Sequence, residues 1–476
     1  MAWLFYKRGT IHPYRAYVAL MGINRRRLHP VGVKHPRTFY INEGEKLYWA
    51  WEEDDLRIFW RHLIAMLQIP RRVTAYFRVI DRQIIRALWA TEHIRKMNLR
   101  PLVDQDLLKL FADLETAVTP SMFALNSEID VVDLYLEDWL RARIEQELKT
   151  VSSNQARIIS QKLIQPISRT YVNREEIMIM RAAQRHDFSD QTLRRIYNKF
   201  WWTNLGWENV RPRSLDYFRQ SIRKQARIVG VTTKLAQAEN FVLLNQRERR
   251  QYLKFFRASS PIKYWLSIYD RYVYYHDRRK ELQGRINYAF YLLLSEVARR
   301  RRLKVADLEW LWHFEVKNIL QGGSLDQAEI RRRKKGVAAL VYFNKFTVWS
   351  GIAAIRLRRK YVKEEKQKIF EFSGLGVSGG LVRGRVKVCA GAKEALLKIK
   401  QDDILVCPMT TPEHVIAMRR AKAIITDEGG ITCHAAIIAR EFGIPCIVGT
   451  KTATRILSDG DLIEADARNG LVKFIK

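Results

Sequence analysis

Along much of the first 370 positions, apolar residues return at the three-to-four spacing of a helix. The runs DVVDLYLEDWLRARIEQEL (130–148) and GRINYAFYLLLSEVARR (284–300) each gather apolar side chains on one stripe, which predicts amphipathic helices. Asp130 and Asp133 read as caps or first-turn acids of the former. The opening 50 residues carry His-Pro at 12–13, 29–30 and 35–36, and a residue before proline is pushed out of the helical region. That stretch is expected to be irregular or partly extended.

One segment has the hydropathy of a membrane span: GVAALVYFNKFTVWSGIAAI, residues 336–355, between RRRKK and RLRRK. Its centre holds Asn344 and Lys345, and a lysine at mid-membrane costs roughly 2.5–3.5 kcal/mol on insertion scales. A small hairpin over 340–350, turning at Asn344-Lys345, accommodates the polar pair better, so no membrane span is expected.

A charged helical pattern, IRLRRKYVKEEKQKIFEF, runs up to residue 372, followed by SGLGVSGG (373–380), which reads as a flexible joint or hinge. Beyond it the pattern shortens to β-type runs: LVRGRVKVCA, DDILVCP, KAIITD, PCIVG and a closing pair in DLIEADARNGLVKFI. AKEALLKIK and TPEHVIAMRRA read as helices between them, and a third helix starts near Thr432 and ends at Phe442, with Gly443 as its cap before Pro445. Glycine follows the same division, with 11 in residues 1–370 and 12 in the last 106. The expected fold is multidomain: a basic, mainly α-helical region 1–370, with room for more than one subdomain, and a C-terminal α/β domain, 371–476.

Composition adds two constraints. The chain has 476 residues, 47% of them hydrophobic, ample for two to four cores. Its net charge is +34, of which +31 lies in residues 1–370. Such a field attracts polyanions, such as nucleic acid, phosphorylated ligands, an acidic partner or an anionic lipid surface, while solvated helix faces would give the same count. The start, MAWLFYKRGTIHPYR, has no apolar run long enough for a secretory signal. Cys389, Cys407, Cys433 and Cys446 follow no metal spacing, so reduced thiols in a cytoplasmic protein are expected, with no metal site.

The chemistry concentrates in DEGGITCHAAIIAREFGIPCIVG, residues 427–449. A buried strand, KAIITD, runs into Gly429-Gly430, which permit a sharp turn and the close approach of another molecule. With Thr432 as N-cap, His434 falls in the first turn of the next helix. Unpaired amides and the positive helix end favour a neutral imidazole and an anion beside it. A neutral imidazole is a nucleophile, and a phosphoryl group placed on it would sit where negative charge is stabilised. Thr432 is placed to fix the ring tautomer, Ala435 and Ala436 keep the approach open, and Ile437 and Ile438 anchor the helix. The other nine histidines, His414 in TPEHVIAM included, read as caps or packed residues.

GGITCHAAIIAR (429–440) resembles the phosphohistidine signature of the phosphoenolpyruvate-utilising enzymes: phosphoenolpyruvate synthase, pyruvate phosphate dikinase, enzyme I of the sugar phosphotransferase system and rifampicin phosphotransferase. GVSGGLVRGRVKV, DDILVCPMTTPEHVIAMRRAKAIITDEGG, EFGIPCIVGT and LSDGDLIEADARNG resemble successive pieces of their mobile, or swivelling, domain. The resemblance implies a β/β/α domain that carries a phosphoryl group on His434 and swings between a nucleotide site and an acceptor site. Gly429, Gly430 and Thr432 match the motif's loop, and Arg440 its closing basic residue. Cys433 departs from the serine common at that place, which puts a thiol beside the nucleophile.

Residues 1–370 show neither the glycine-rich phosphate loops of the family's ATP-grasp domain nor the strand-helix alternation of its barrel. They more weakly resemble the acceptor-binding helical region of the rifampicin phosphotransferase-like and synthase-like proteins, over 186–212 and 303–336. Trp201, Trp202, Trp207, Trp310 and Trp312 are then candidates for an apolar pocket, or else core, and Arg331, Arg332 and Arg333 for neutralising a phosphate, or else a solvated helix end. Two functions follow as expectations. One is a phosphotransferase component of the synthase/dikinase type, with His434 passing phosphate to a small-molecule acceptor. Its donor would be phosphoenolpyruvate, or ATP and Mg2+ held by a separately encoded ATP-grasp partner. The other is a non-catalytic binding or regulatory protein whose basic helical region contacts RNA or an acidic partner.

Overall fold

The computed structural model describes residues 3–8, 11–23, 32–44, 46–148, 151–206, 209–228, 230–342, 345–362, 371–428, 433–450 and 452–475. The chain divides into two compact units: Met1–Leu4, Thr10–Gly44 and Ala50–Ile355, and then Phe5–Gly9, Glu45–Trp49 and Arg356–Lys476.

The first unit is mainly helical. Helix α1, Pro13–Ile23, is followed by α2, Glu53–Leu67, α3, Pro70–Lys96, and α4, Asp104–Glu147, and a 42-residue helix, Ser260–Arg301, comes later. α4 shows why a local pattern misleads about boundaries. The amphipathic run at 130–148 is the end of one 44-residue helix, so Asp130 and Asp133 are interior positions, not caps. The helix continues through Pro120, whose absent N–H is tolerated because the apolar face is held on both sides: Val118, Met122, Leu125 and Ile129 are buried. The opening 50 residues are more regular than expected. Pro13 starts α1, where its fixed φ suits the first helical turn, and Thr38–Glu43 is a strand.

The hydropathic segment at 336–355 is a hairpin that continues into helix Ile352–Tyr361. Strand Val337–Tyr342 lies between Thr38–Glu43 and Lys345–Ser350, antiparallel to both. Tyr342 pairs with Lys345, so Lys345 belongs to the strand and the connection is 343–344, one position earlier than expected; both those residues lie outside the described set. Among the described residues no helix is long and apolar enough to cross a membrane. The helix expected up to residue 372 ends at Tyr361, since Glu371 and Phe372 already lie in a strand.

The C-terminal unit is built on an eight-stranded sheet. Its centre is parallel: Leu381–Val388, Ile404–Cys407, Ala423–Thr426 and Cys446–Val448 are neighbours in that order. Antiparallel strands flank it, Leu375–Ser378 on one side and Leu462–Asp466, Leu471–Phe474 and Glu371–Ser373 on the other. Ile404–Cys407, Ala423–Thr426 and Cys446–Val448 are buried from end to end, as expected where both faces are covered. One core gathers Leu405, Ile424, Met418 and Ala439, and a second gathers Val406, Ile425, Ile463 and Val472.

The stretch 373–380 is not a free joint. Leu375–Ser378 is a strand hydrogen-bonded to Cys446–Val448, and its glycines serve close packing. A Cβ on Gly376 would come within 2.0 Å of the Ala467 carbonyl oxygen, and one on Gly374 within 2.7 Å of the Thr450 side chain. A glycine-rich run gives the same sequence signal whether glycine supplies freedom or merely takes no space.

Candidate active site

His434 is the first residue of the nine-residue helix His434–Phe442, which ends at Gly443 with φ of 66°, as expected of a left-handed glycine cap. The capping position belongs to Cys433, not Thr432, and the Cys433 side chain makes no capping bond. The helix's first amides, from His434 to Ala436, have no carbonyl partner within the helix and give its N-terminus a partial positive charge. Gly429, Gly430 and Thr432 lie outside the described residues.

The helix lies close to the sheet because its inner face is alanine. Ala435, Ala436 and Ala439 are fully buried, whereas Ile437 and Ile438, expected to be the anchors, are only partly so. Arg440 sits six residues beyond His434, about 9 Å along the axis, and donates from Nε to the Val377 carbonyl at 2.9 Å. Its recorded contact therefore braces the helix against strand Leu375–Ser378.

His434 is partly exposed, so its ring is not sealed in the core. Its Nδ1 lies 2.9 Å from the Thr410 Oγ1. Both residues follow the C-terminal ends of adjacent parallel strands, Thr410 after Ile404–Cys407 and His434 after Ala423–Thr426. In open α/β sheets such strand ends are where ligands are held. Two further bonds tie these ends together: the Asp427 amide donates to the Cys407 carbonyl at 3.2 Å and the Glu428 amide to the Pro408 carbonyl at 2.8 Å. From the next strand end, Thr450 donates to Asp427 at 3.1 Å, and the amide and hydroxyl of Thr454 also bond that carboxylate. Burial raises the pKa of Asp427 against these bonds.

Burial, followed by the neighbouring His414, lowers the His434 pKa to about 4. The imidazole is therefore neutral at ordinary pH. Its tautomer depends on the Thr410 contact. A ring that donates Nδ1–H to Oγ1 leaves its lone pair on Nε2, the nitrogen with nucleophilic character.

His414 is more than a packed side chain. It is buried, its Nδ1 accepts from the Thr411 amide at 3.0 Å, and its Nε2 has no hydrogen-bond partner among the described residues. An accepting Nδ1 places the proton on Nε2. Neither Thr410 nor His414 was singled out by sequence. The available signal was position, since TTPEH directly follows a buried strand parallel to the one that leads to His434.

No disulfide joins the four cysteines; Cys389, Cys407 and Cys446 are buried, and Cys433 is partly exposed. Among the described residues no group of His, Cys, Asp or Glu is arranged to hold a metal ion.

The front-unit candidates do not converge on a pocket. Trp201, Trp202, Trp310 and Trp312 are all core residues, at most 8% exposed, and Trp207 lies outside the described residues. Arg333 is buried, paired with Glu315 and Glu329, and donates to the Trp310 carbonyl, so its charge is already used. Arg331 and Arg332 line an open surface depression with Lys334 and Lys335, and Arg332 pairs with Glu329.

Residues 399–470 match the family described as PEP-utilising enzyme, mobile domain. The chain carries a mobile domain of the PEP-utilising enzyme family. A probable phosphoenolpyruvate synthase of Archaeoglobus fulgidus is 49% identical over 125 residues, 25% of this chain and 16% of that protein. The phosphoenolpyruvate synthase of Pyrococcus furiosus is 49% identical over 120 residues, 24% of this chain and 15% of that protein. The uncharacterised phosphotransferase YvkC of Bacillus subtilis is 35% identical over 218 residues, 44% of this chain and 26% of that protein. Because the C-terminal unit is much shorter than 218 residues, that likeness extends into the helical unit. The chain spans about a sixth of the length of the first of these relatives. A solved structure, the holo-form of aconitase X from Thermococcus kodakaraensis, is 20% identical, covers 22% of this chain and 98% of its own, and has a TM-score of 0.19, too low to carry an argument.

Proposed function

We propose that the chain is a phosphotransferase component in which His434 carries a phosphoryl group between a donor and an acceptor. The carrying observation is the 2.9 Å contact between Thr410 Oγ1 and Nδ1 of an imidazole whose pKa is near 4. With the proton on Nδ1, the Nε2 lone pair attacks the phosphorus of the donor, a P–N bond forms, and the P–O bond to the leaving group breaks. Nδ1–H continues to donate to Thr410 while the ring carries positive charge. The partial positive charge of the helix start stabilises the phosphoryl oxygens. An acceptor oxygen then attacks the same phosphorus, and the P–N electron pair returns to Nε2.

The donor in this reading is ATP with Mg2+, held by an ATP-grasp-type partner lying outside residues 1–476, or phosphoenolpyruvate. A small molecule bound by the helical unit is the acceptor, and Gly429, Gly430 and Thr432 are the residues that match the loop of the phosphohistidine motif. Similarity to the phosphoenolpyruvate synthases and to YvkC supports the reaction class.

The test is labelling from ATP carrying radioactive phosphorus at the β or γ position, or from labelled phosphoenolpyruvate, with and without a candidate ATP-grasp protein. Acid-labile, base-stable label that disappears in His434→Ala is expected. Label retained in that variant, or absent from every combination, would overturn the reading.

A further inference from the structure

The solvent face of α3 holds a concentration of charge that the phosphotransfer reading does not use. Its buried side is ordinary core: Val73, Tyr76, Ile80, Ile84, Ala87 and Ile94. Its exposed side carries Arg71, Arg72, Arg78, Arg82 and Arg86. The two acids of the helix are already engaged. Asp81 accepts from Arg271 and Tyr275, and Glu92 pairs with Arg95 and Lys96. Among the described residues, none of the five exposed arginines has a recorded ion pair. This contrasts with Arg15, Arg249, Arg300 and Arg333 of the same unit, each bound to a carboxylate.

Spacing turns these charges into a track. Arg78, Arg82 and Arg86 follow one another at four-residue intervals, about 6 Å of rise each, close to the separation of successive phosphates in an extended strand. The same stretch exposes Ile85 at 65% and, one turn on, Trp89 at 69%, and the Trp89 indole stacks on His93 with centroids 5.4 Å apart and planes 5° apart. A large aromatic surface so exposed beside an unneutralised arginine row is the combination used to bind nucleic-acid strands, with phosphates on the cations and a base on the ring.

We propose that this face of α3 binds single-stranded nucleic acid, with Arg78, Arg82 and Arg86 on successive phosphates and Trp89 stacking on a base. Stacking on Trp89 requires an unpaired base, which favours a single strand over a duplex. An anionic membrane is less well matched, because Ile85 and Trp89 offer too little apolar surface for anchoring in the acyl region.

The experiment is fluorescence anisotropy on the full chain with a labelled 20-nucleotide single-stranded RNA across a salt series. Single-stranded DNA, the matching RNA duplex and phosphatidylserine vesicles serve as competitors. The three phosphate contacts of Arg78, Arg82 and Arg86 contribute roughly −2 to the log–log salt slope for a single strand. Combined substitution R78E/R82E/R86E is expected to weaken binding more than tenfold and to flatten the slope by about 2. W89A is expected to weaken it at least fivefold with the slope unchanged, since stacking does not release counterions. The control R194E/R195E/R223E makes the same charge change on exposed residues of helices Asp190–Phe200 and Leu215–Ala226 and should change affinity less than threefold. The proposal is overturned if the control weakens binding as much as the α3 variant, if W89A binds like the unaltered chain, or if the duplex or the vesicles displace the strand more effectively than unlabelled single strands.

Discussion

Thr410 and His434 are brought together across two parallel strands, hydroxyl to Nδ1 at 2.9 Å, although 24 residues separate them in the chain. In the proposed phosphotransfer, a ring that donates Nδ1–H across this contact acts through Nε2. Thr410→Val keeps the shape and removes the hydrogen-bonding oxygen. The rate of acid-labile labelling of His434 should fall 10- to 100-fold, the usual effect of losing a partner that orients a functional histidine. Thr410→Ser should restore most of it. An unchanged rate in Thr410→Val would show that the tautomer is set elsewhere.

The pH dependence follows from the displaced imidazole. With a folded pKa near 4, His434 is neutral from about pH 5 upward, so the labelling step should show no titration near 6.5 and should decline only as pH drops through about 4. Stability carries the same sign. Between about pH 6.5 and 4 the unfolded chain binds a proton that the folded chain refuses, so this residue's contribution is lost as pH falls through that window. His434→Asn should weaken the acid sensitivity of the C-terminal unit there, measured by urea unfolding at pH 4.5 and pH 7.

His414 provides a separate test of the local field. It is the second-largest cause of the lowered His434 pKa, after burial. His414→Gln retains an acceptor for the Thr411 amide and removes the second titratable ring. The His434 pKa, followed by NMR of the ring protons, should then move upward toward the ordinary value. A downward move would show that the two rings do not interact in the expected sense.

Packing is tested at Gly376. Alanine there would press its Cβ to 2.0 Å from the Ala467 carbonyl oxygen, while alanine at Gly379 would meet only an ordinary contact, 3.7 Å from the Arg468 side chain. Gly376→Ala should destabilise the unit by about 2–3 kcal/mol, the range of overpacked cores, and Gly379→Ala by less than about 1 kcal/mol. Equal and small effects would restore the view of this stretch as a flexible joint.

Much of the architecture was written locally. Strand runs such as ILVC and AIIT announced themselves because a strand covered on both faces must be apolar throughout. The helix after His434 was legible from its periodicity and from Gly443. Boundaries failed where two structures share one local signal. A 44-residue helix hid behind the pattern of its C-terminal part, and the glycines of SGLGVSGG looked like freedom although they mark contact. Tryptophans and arginines beside one another suggested a pocket, but Arg333 proved to be a buried ion-pair partner above a tryptophan core.

The sequence by itself determined a helical front, an α/β back and a histidine at a helix start, because side-chain periodicity and caps act within a few residues. Only the tertiary structure decided that Thr410 reaches the His434 ring, that His414 stands beside it, and that five arginines of α3 face solvent with no ion pair among the described residues. Each of those facts depends on which distant segments the burial of apolar faces brings together, and a one-dimensional pattern of polarity carries no record of such pairings.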